Sequence, residues 1–141
     1  MRDIKFRGQS INTVGGGRPI KEWVYGCLVI DESREDKYRY RIQPREGDQF
    51  YAPPVIPETI GQCTGLKDKN GTDIYEGDIV KCDKRGLAFH RGRVWWNDIN
   101  ARYDVIAMDC PFPITLDECS DDISIHGRDY EVIGNIFIKQ N

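Results

Sequence analysis

Hydrophobic and polar residues alternate with a period of two along much of the chain, which is the pattern of half-buried β-strands. Residues 4–7 and 38–42 show this alternation, and residues 23–30 are rich in the β-branched and aromatic side chains typical of a central strand. A charged segment, residues 31–37, separates the last two. The pattern therefore predicts a β-hairpin near the N-terminus.

The same reasoning predicts short strands through the rest of the chain, at residues 59–64, 78–82, 92–96, 103–108 and 131–137. Asp68–Gly71 is a strong turn signal because Asn and Gly both tolerate positive φ at low cost. Fourteen glycines and seven prolines suit strands joined by tight turns better than a helical bundle. No long helical periodicity is present, so we expect an all-β fold with little helix.

Three prolines fall within residues 53–57, where neither a helix nor a regular strand ladder can continue. This segment is predicted to be an extended connector. It divides the chain into an N-terminal β subdomain, residues 1–52, and a C-terminal domain, residues 58–141.

Composition narrows the functional classes. The chain has 141 residues and a formal net charge of −3, which disfavours a protein that coats duplex DNA. Its five cysteines form no CxxC pair, and the N-terminus has no apolar signal segment, so a reducing compartment is expected. No stretch is long enough to span a membrane. We therefore expect a soluble, cytoplasmic protein.

One segment is highly distinctive: residues 65–80, GLKDKNGTDIYEGDIV. It resembles the signature of the YopX family of phage and prophage proteins. Further blocks of the chain agree with that family in the same order, namely residues 2–7, 23–26, 57–62 and 131–136. The resemblance implies an all-β protein whose C-terminal part is a small SH3-like barrel. It also implies a setting inside a phage-infected or lysogenic bacterial cell, and it supplies no catalytic residues.

The residues of the signature are compatible with such a barrel. Gly77 allows a sharp change of direction, and Ile79 then faces inward as the next strand begins. Small barrels need glycine-mediated bends of this kind to close.

Cys110, Cys119 and His126 are candidate metal ligands, because they lie in one region of the chain together with the acidic residues of segment 117–122. Structural zinc sites pair their ligands at short spacing, as in CxxC, and no such pair occurs here. We expect a solvated acidic loop, and neither a metal nor a cofactor.

The sequence gives equally little support for a catalytic site. Cys63 or Cys82 with His90 has no supporting local motif, and Glu76 with Asp78 adjoins a turn where acids are expected as turn formers. The sequence therefore predicts a protein that is not an enzyme.

Binding to a protein is the leading functional prediction, with a phage or host protein or a second copy of the chain as partner. The alternative is a single-stranded nucleic-acid binder. That alternative would use Arg39, Arg41, Arg93 and Trp95, in two stretches where arginine and aromatic residues alternate.

Overall fold

A computed structural model describes residues 4–14, 18–45, 52–82, 89–107 and 130–137. The described residues confirm the all-β class, because they form two antiparallel sheets with very little helix. The strands are β1 (Phe6–Val14), β2 (Arg18–Ile30), β3 (Tyr40–Pro44), β4 (Gly61–Lys67), β5 (Asp73–Tyr75), β6 (Asp78–Cys82), β7 (Phe89–Asn97), β8 (Arg102–Ala107) and β9 (Tyr130–Asn135). The helical elements are α1 (Asp36–Arg39) and a 3₁₀ turn (Pro57–Thr59).

The chain divides into two compact units, Met1–Cys63 and Thr64–Asn141. In the first unit, β2 pairs with β1 on one side and with β3 on the other. The pairing of β2 with β3 confirms the predicted hairpin. The predicted strand at residues 38–42 was wrong at its start, because Tyr38 and Arg39 lie in α1 and β3 begins at Tyr40.

The proline segment lies within the range of the first unit and connects two of its strands. Pro54 bridges to Arg41 of β3, while Val55 bridges to Ser10 of β1. The Val55 amide also donates to the Tyr40 carbonyl, at 2.9 Å. Isolated bridges suit such a segment because proline cannot donate to a continuous ladder. The predicted division of the chain at residues 52 and 58 stays a prediction.

Strands β3, β2 and β1 are neighbours in one sheet, the first sheet. Its inner face is the side on which the apolar side chains of this unit pack. Ile42 is fully buried and Val55 nearly so. Gly8 lies against both, since a Cβ added there would come within 3.1 Å of either side chain. The small residue on β1 thus allows the proline segment to pack closely on the sheet.

The second unit has a core formed by its own strands. Its four-stranded sheet has the order β8-β7-β6-β9. Val80, Val94 and Val105 come from three adjacent strands of this sheet and pack with Ile74 and Tyr130. The period-2 pattern of the sequence is the direct source of this core, because each valine alternates with a residue on the opposite face.

The SH3-like barrel expected from the resemblance is not formed by the described residues. Their second sheet is open, because β8 and β9 are its two edges and do not pair with each other. Part of the β9 edge is instead hydrogen-bonded to the turn of the family signature, Asp68–Gly71, where the Lys69 amide donates to the Tyr130 carbonyl.

Candidate binding surface

The first sheet presents aromatic and basic side chains on the face opposite its apolar packing. Alternation along β2 places Trp23, Tyr25, Cys27 and Val29 together on this side, with Tyr25 and Cys27 exposed. The neighbouring strands add further residues at positions opposite these in the register. We call this surface the outer face, and its described residues are Arg7, Gln9, Trp23, Tyr25, Cys27, Val29, Arg41, Gln43 and Arg45.

Two aromatic residues of β2, Trp23 and Tyr25, lie on the outer face. The guanidinium of Arg7 lies 4.8 Å from the ring centroid of Trp23, which is cation–π geometry. Arg7 is itself buried and stands directly opposite Tyr25 in the register of β1 and β2. Tyr25 remains 49% exposed. A buried cation thus supports one aromatic ring, and a second ring lies beside it in solvent.

The two remaining arginines of the outer face hydrogen-bond to the chain itself. Arg41 donates from Nη1 to the Ala52 carbonyl at 2.9 Å and from Nε to the Tyr38 carbonyl at 3.2 Å. Arg45 donates to the Ile4 carbonyl and, from Nε, to Cys27 Sγ at 3.5 Å. These bonds fix the positions of the two guanidiniums.

Arg39 and Arg41, two of the residues predicted to bind nucleic acid, lie in different elements of the first unit. Arg41 is on β3 and belongs to the outer face. Arg39 ends α1 and forms an ion pair with Asp36, at 2.9 Å. The expected alternation of arginines along one strand is therefore wrong, because a helical turn replaces the start of that strand.

Arg93 and Trp95, the other two predicted residues, lie two positions apart on β7 in the second unit. They point to the same side of the sheet, opposite Ile106 and Asp104 of β8. Arg93 is exposed, whereas Trp95 is half-buried and its indole Nε1 is buried. The structure thus places Arg93 and Trp95 on one side of β7, and it places Arg41 on the same sheet face as Tyr25 and Trp23, opposite Val29 in the register.

Sequence reasoning missed Trp23 and Tyr25. It assigned their segment to a central strand and did not identify either residue as part of a site. The signal available in the sequence was the alternation along residues 23–29, which places Trp23 and Tyr25 on the same side of the strand. Their exposure depends on which face the proline segment covers, and that could not be read from β2 alone.

Glu76 is a half-buried acid at the turn between β5 and β6. Burial raises its pKa, and nearby Asp98 raises it further, while the positive charge of Arg93 lowers it in part. Its neighbour in the considered carboxylate pair, Asp78, is buried and accepts a hydrogen bond from the Tyr75 amide at 2.7 Å. Asp78 therefore has the turn-forming role expected from the sequence.

The other residues considered for chemistry are only partly described. Cys63 is buried, whereas Cys110, Cys119 and His126 lie outside the described residues, as do the side chains of Cys82 and His90. Within the described ranges, no group of three or more His, Cys, Asp or Glu side chains could hold a metal ion. Among these same residues, no helix has the length and apolar character needed to cross a membrane.

The fold and the outer face define an all-β protein of two compact units, one of which has an exposed aromatic and basic sheet face. The model of the YopX protein family matches residues 20–140 of the chain. The protein belongs to the YopX family. The chain is also similar to the crystal structure of protein EF1440 from Enterococcus faecalis, at 24% identity and a TM-score of 0.45, over 96% of this chain and 94% of that one. No curated protein matches the chain significantly.

Proposed function

We propose that this protein is a non-catalytic binding module that contacts a macromolecular partner through its outer face. The observation that carries the proposal is the exposure of Tyr25 and Val29, at 49% and 40%, on a sheet whose opposite face is packed. Large apolar side chains that are grouped on one face and left in solvent are typical of interaction sites.

The setting proposed for this module is the cytoplasm of a phage-infected or lysogenic bacterium, as the family resemblance implies. A phage or host protein, or a second copy of the chain, is one class of partner. Aromatic residues and arginine are enriched at the centres of protein interfaces, and both occur on the outer face. Single-stranded nucleic acid is the other class.

Affinity capture from a bacterial lysate tests the outer face without choosing between partner classes. The immobilised full-length protein is compared with the double variant Tyr25→Ser and Val29→Ser, and bound material is stained for both protein and nucleic acid. Ile99→Ser is the matched control, because Ile99 is 94% exposed and lies in the second unit. The proposal expects a component that the wild type and Ile99→Ser retain and the double variant loses. Equal retention by all three proteins would contradict it.

A further inference from the structure

The charge of the outer face indicates the chemistry of its partner. Its described side chains include the guanidiniums of Arg7, Arg41 and Arg45, and none of these described side chains is a carboxylate. A sheet face of this composition is complementary to an anionic polymer, although the whole chain has a net charge of −3. Local clustering of charge decides binding here, since a strand of phosphates contacts only the surface in front of it.

The aromatic residues distinguish a single strand from a duplex. Trp23 and Tyr25 are two positions apart on one strand, so their Cα atoms are separated by about 7 Å. Bases in a duplex are stacked at about 3.4 Å along each strand and have no free face for a side chain. Only an unstacked strand can place its bases on both rings, and such stacking is the usual basis of single-strand binding.

We propose that the outer face binds single-stranded nucleic acid, with bases stacked on Tyr25 and Trp23 and phosphates attracted by Arg41 and Arg45. This proposal rests on the proposed function and identifies its partner. The side-chain amides of Gln9 and Gln43, opposite Trp23 and Cys27 in the register, are donors and acceptors within reach of base edges. Arg7 is a positioning residue, since its buried guanidinium supports the Trp23 ring.

Fluorescence anisotropy of labelled single-stranded oligonucleotides, and of the same sequences as duplexes, tests the proposal with the full-length protein across a salt series. We expect saturable binding of the single strand, weaker binding of the duplex, and a log–log decline of affinity with salt. Tyr25→Ala should weaken single-strand binding about tenfold, the loss of one stacked base. Tyr25→Phe keeps the aromatic face and should retain wild-type affinity.

Tyr38→Ala is the matched control, because Tyr38 is a comparably exposed tyrosine that lies on α1. It should retain binding, and a loss equal to that of Tyr25→Ala would overturn the assignment of the outer face. Arg41→Lys preserves charge and should keep the salt slope, whereas Arg41→Gln should reduce that slope by about one. Melting curves of each variant confirm that it is folded.

Absence of oligonucleotide binding at low salt would overturn the proposal. The lysate experiment then separates two failures. If capture still depends on Tyr25 and Val29, the binding module stands and its partner is a protein. If capture is also independent of these residues, the proposed function fails as well.

Discussion

The side chain of Asp68 accepts a hydrogen bond from the backbone amide of Val132, 64 residues further along the chain, at 2.9 Å. The other carboxylate oxygen accepts the amides of Asn70 and Thr72, each at 2.9 Å. One buried carboxylate therefore organises the turn in the family signature and also ties that turn to the edge strand β9. The turn in the distinctive part of the sequence thus has a structural role.

Loss of the Asp68 carboxylate should strongly destabilise the second unit. Hydrogen bonds to a charged group contribute about 1.5–3 kcal/mol each, and unpaired buried amides add a cost of their own. We expect Asp68→Ala to lower the free energy of unfolding by about 3–5 kcal/mol, measured by urea denaturation. Asp73→Ala is the control, since Asp73 forms a half-exposed ion pair with Lys67 and should cost less than about 1 kcal/mol. Equal losses would show that the three amide contacts contribute little.

The same carboxylate should make stability depend on acidic pH. Burial acts to raise the pKa of Asp68, but the amides of Val132, Thr72 and Asn70 outweigh it and hold that pKa below its ordinary value of 3.8. A depressed pKa in the folded state contributes stability above the ordinary value, and this contribution disappears as pH falls through the folded value. Wild-type unfolding curves measured downward from pH 4 should therefore lose this contribution. Asp68→Asn should show a smaller change over that interval.

The carboxyl group of Glu76 should have the opposite effect and lower the stability of the fold as pH rises. Its pKa is raised by burial above the ordinary value of 4.5, so the folded state holds the proton more strongly than the unfolded chain does. The charged form is then the less favourable one in the folded protein. The resulting penalty is absent below pH 4.5 and grows as pH rises through the folded pKa. Glu76→Gln should remove this contribution, so the melting temperature of the variant should fall less than that of the wild type as pH rises from 4.5 to 8. An unchanged profile in Glu76→Gln would contradict this reading.

The sequence predicted the elements whose determinants are local. The turn at Asp68–Gly71, strand β6 and the hairpin of β2 and β3 all follow from alternation and turn residues. It did not predict that the proline segment bridges β1 and β3, because that depends on contacts between distant segments. The same contacts decide which face of β2 is packed, so the positions of Tyr25 and Trp23 in the candidate site could not be derived. The helical turn at Tyr38 was missed because its residues also fit an alternating strand.

Gly26 should be intolerant of any side chain. A Cβ at this position would lie 1.9 Å from the Gln43 carbonyl oxygen of the neighbouring strand. Backbone cannot yield as a flexible side chain does, so Gly26→Ala must separate β2 from β3. We expect a loss of about 3 kcal/mol or more in the free energy of unfolding. Gly65→Ala provides the comparison, since Gly65 has open space around it and a φ of +86°; its cost should be about 1–2 kcal/mol from backbone strain alone.

Ala101 offers a site where a substitution should stabilise the protein. It lies in the turn between β7 and β8 with a φ of 50°, in the left-handed region that residues other than glycine adopt at a cost. Glycine removes this strain but adds freedom to the unfolded chain, so the two effects partly offset each other. We expect Ala101→Gly to raise the free energy of unfolding by about 0.5–1 kcal/mol in urea titrations. Asn100→Gly, at a position without positive φ, adds only conformational freedom to the unfolded chain and should lower the free energy of unfolding. A loss of stability in both variants would show that the Ala101 backbone is not strained.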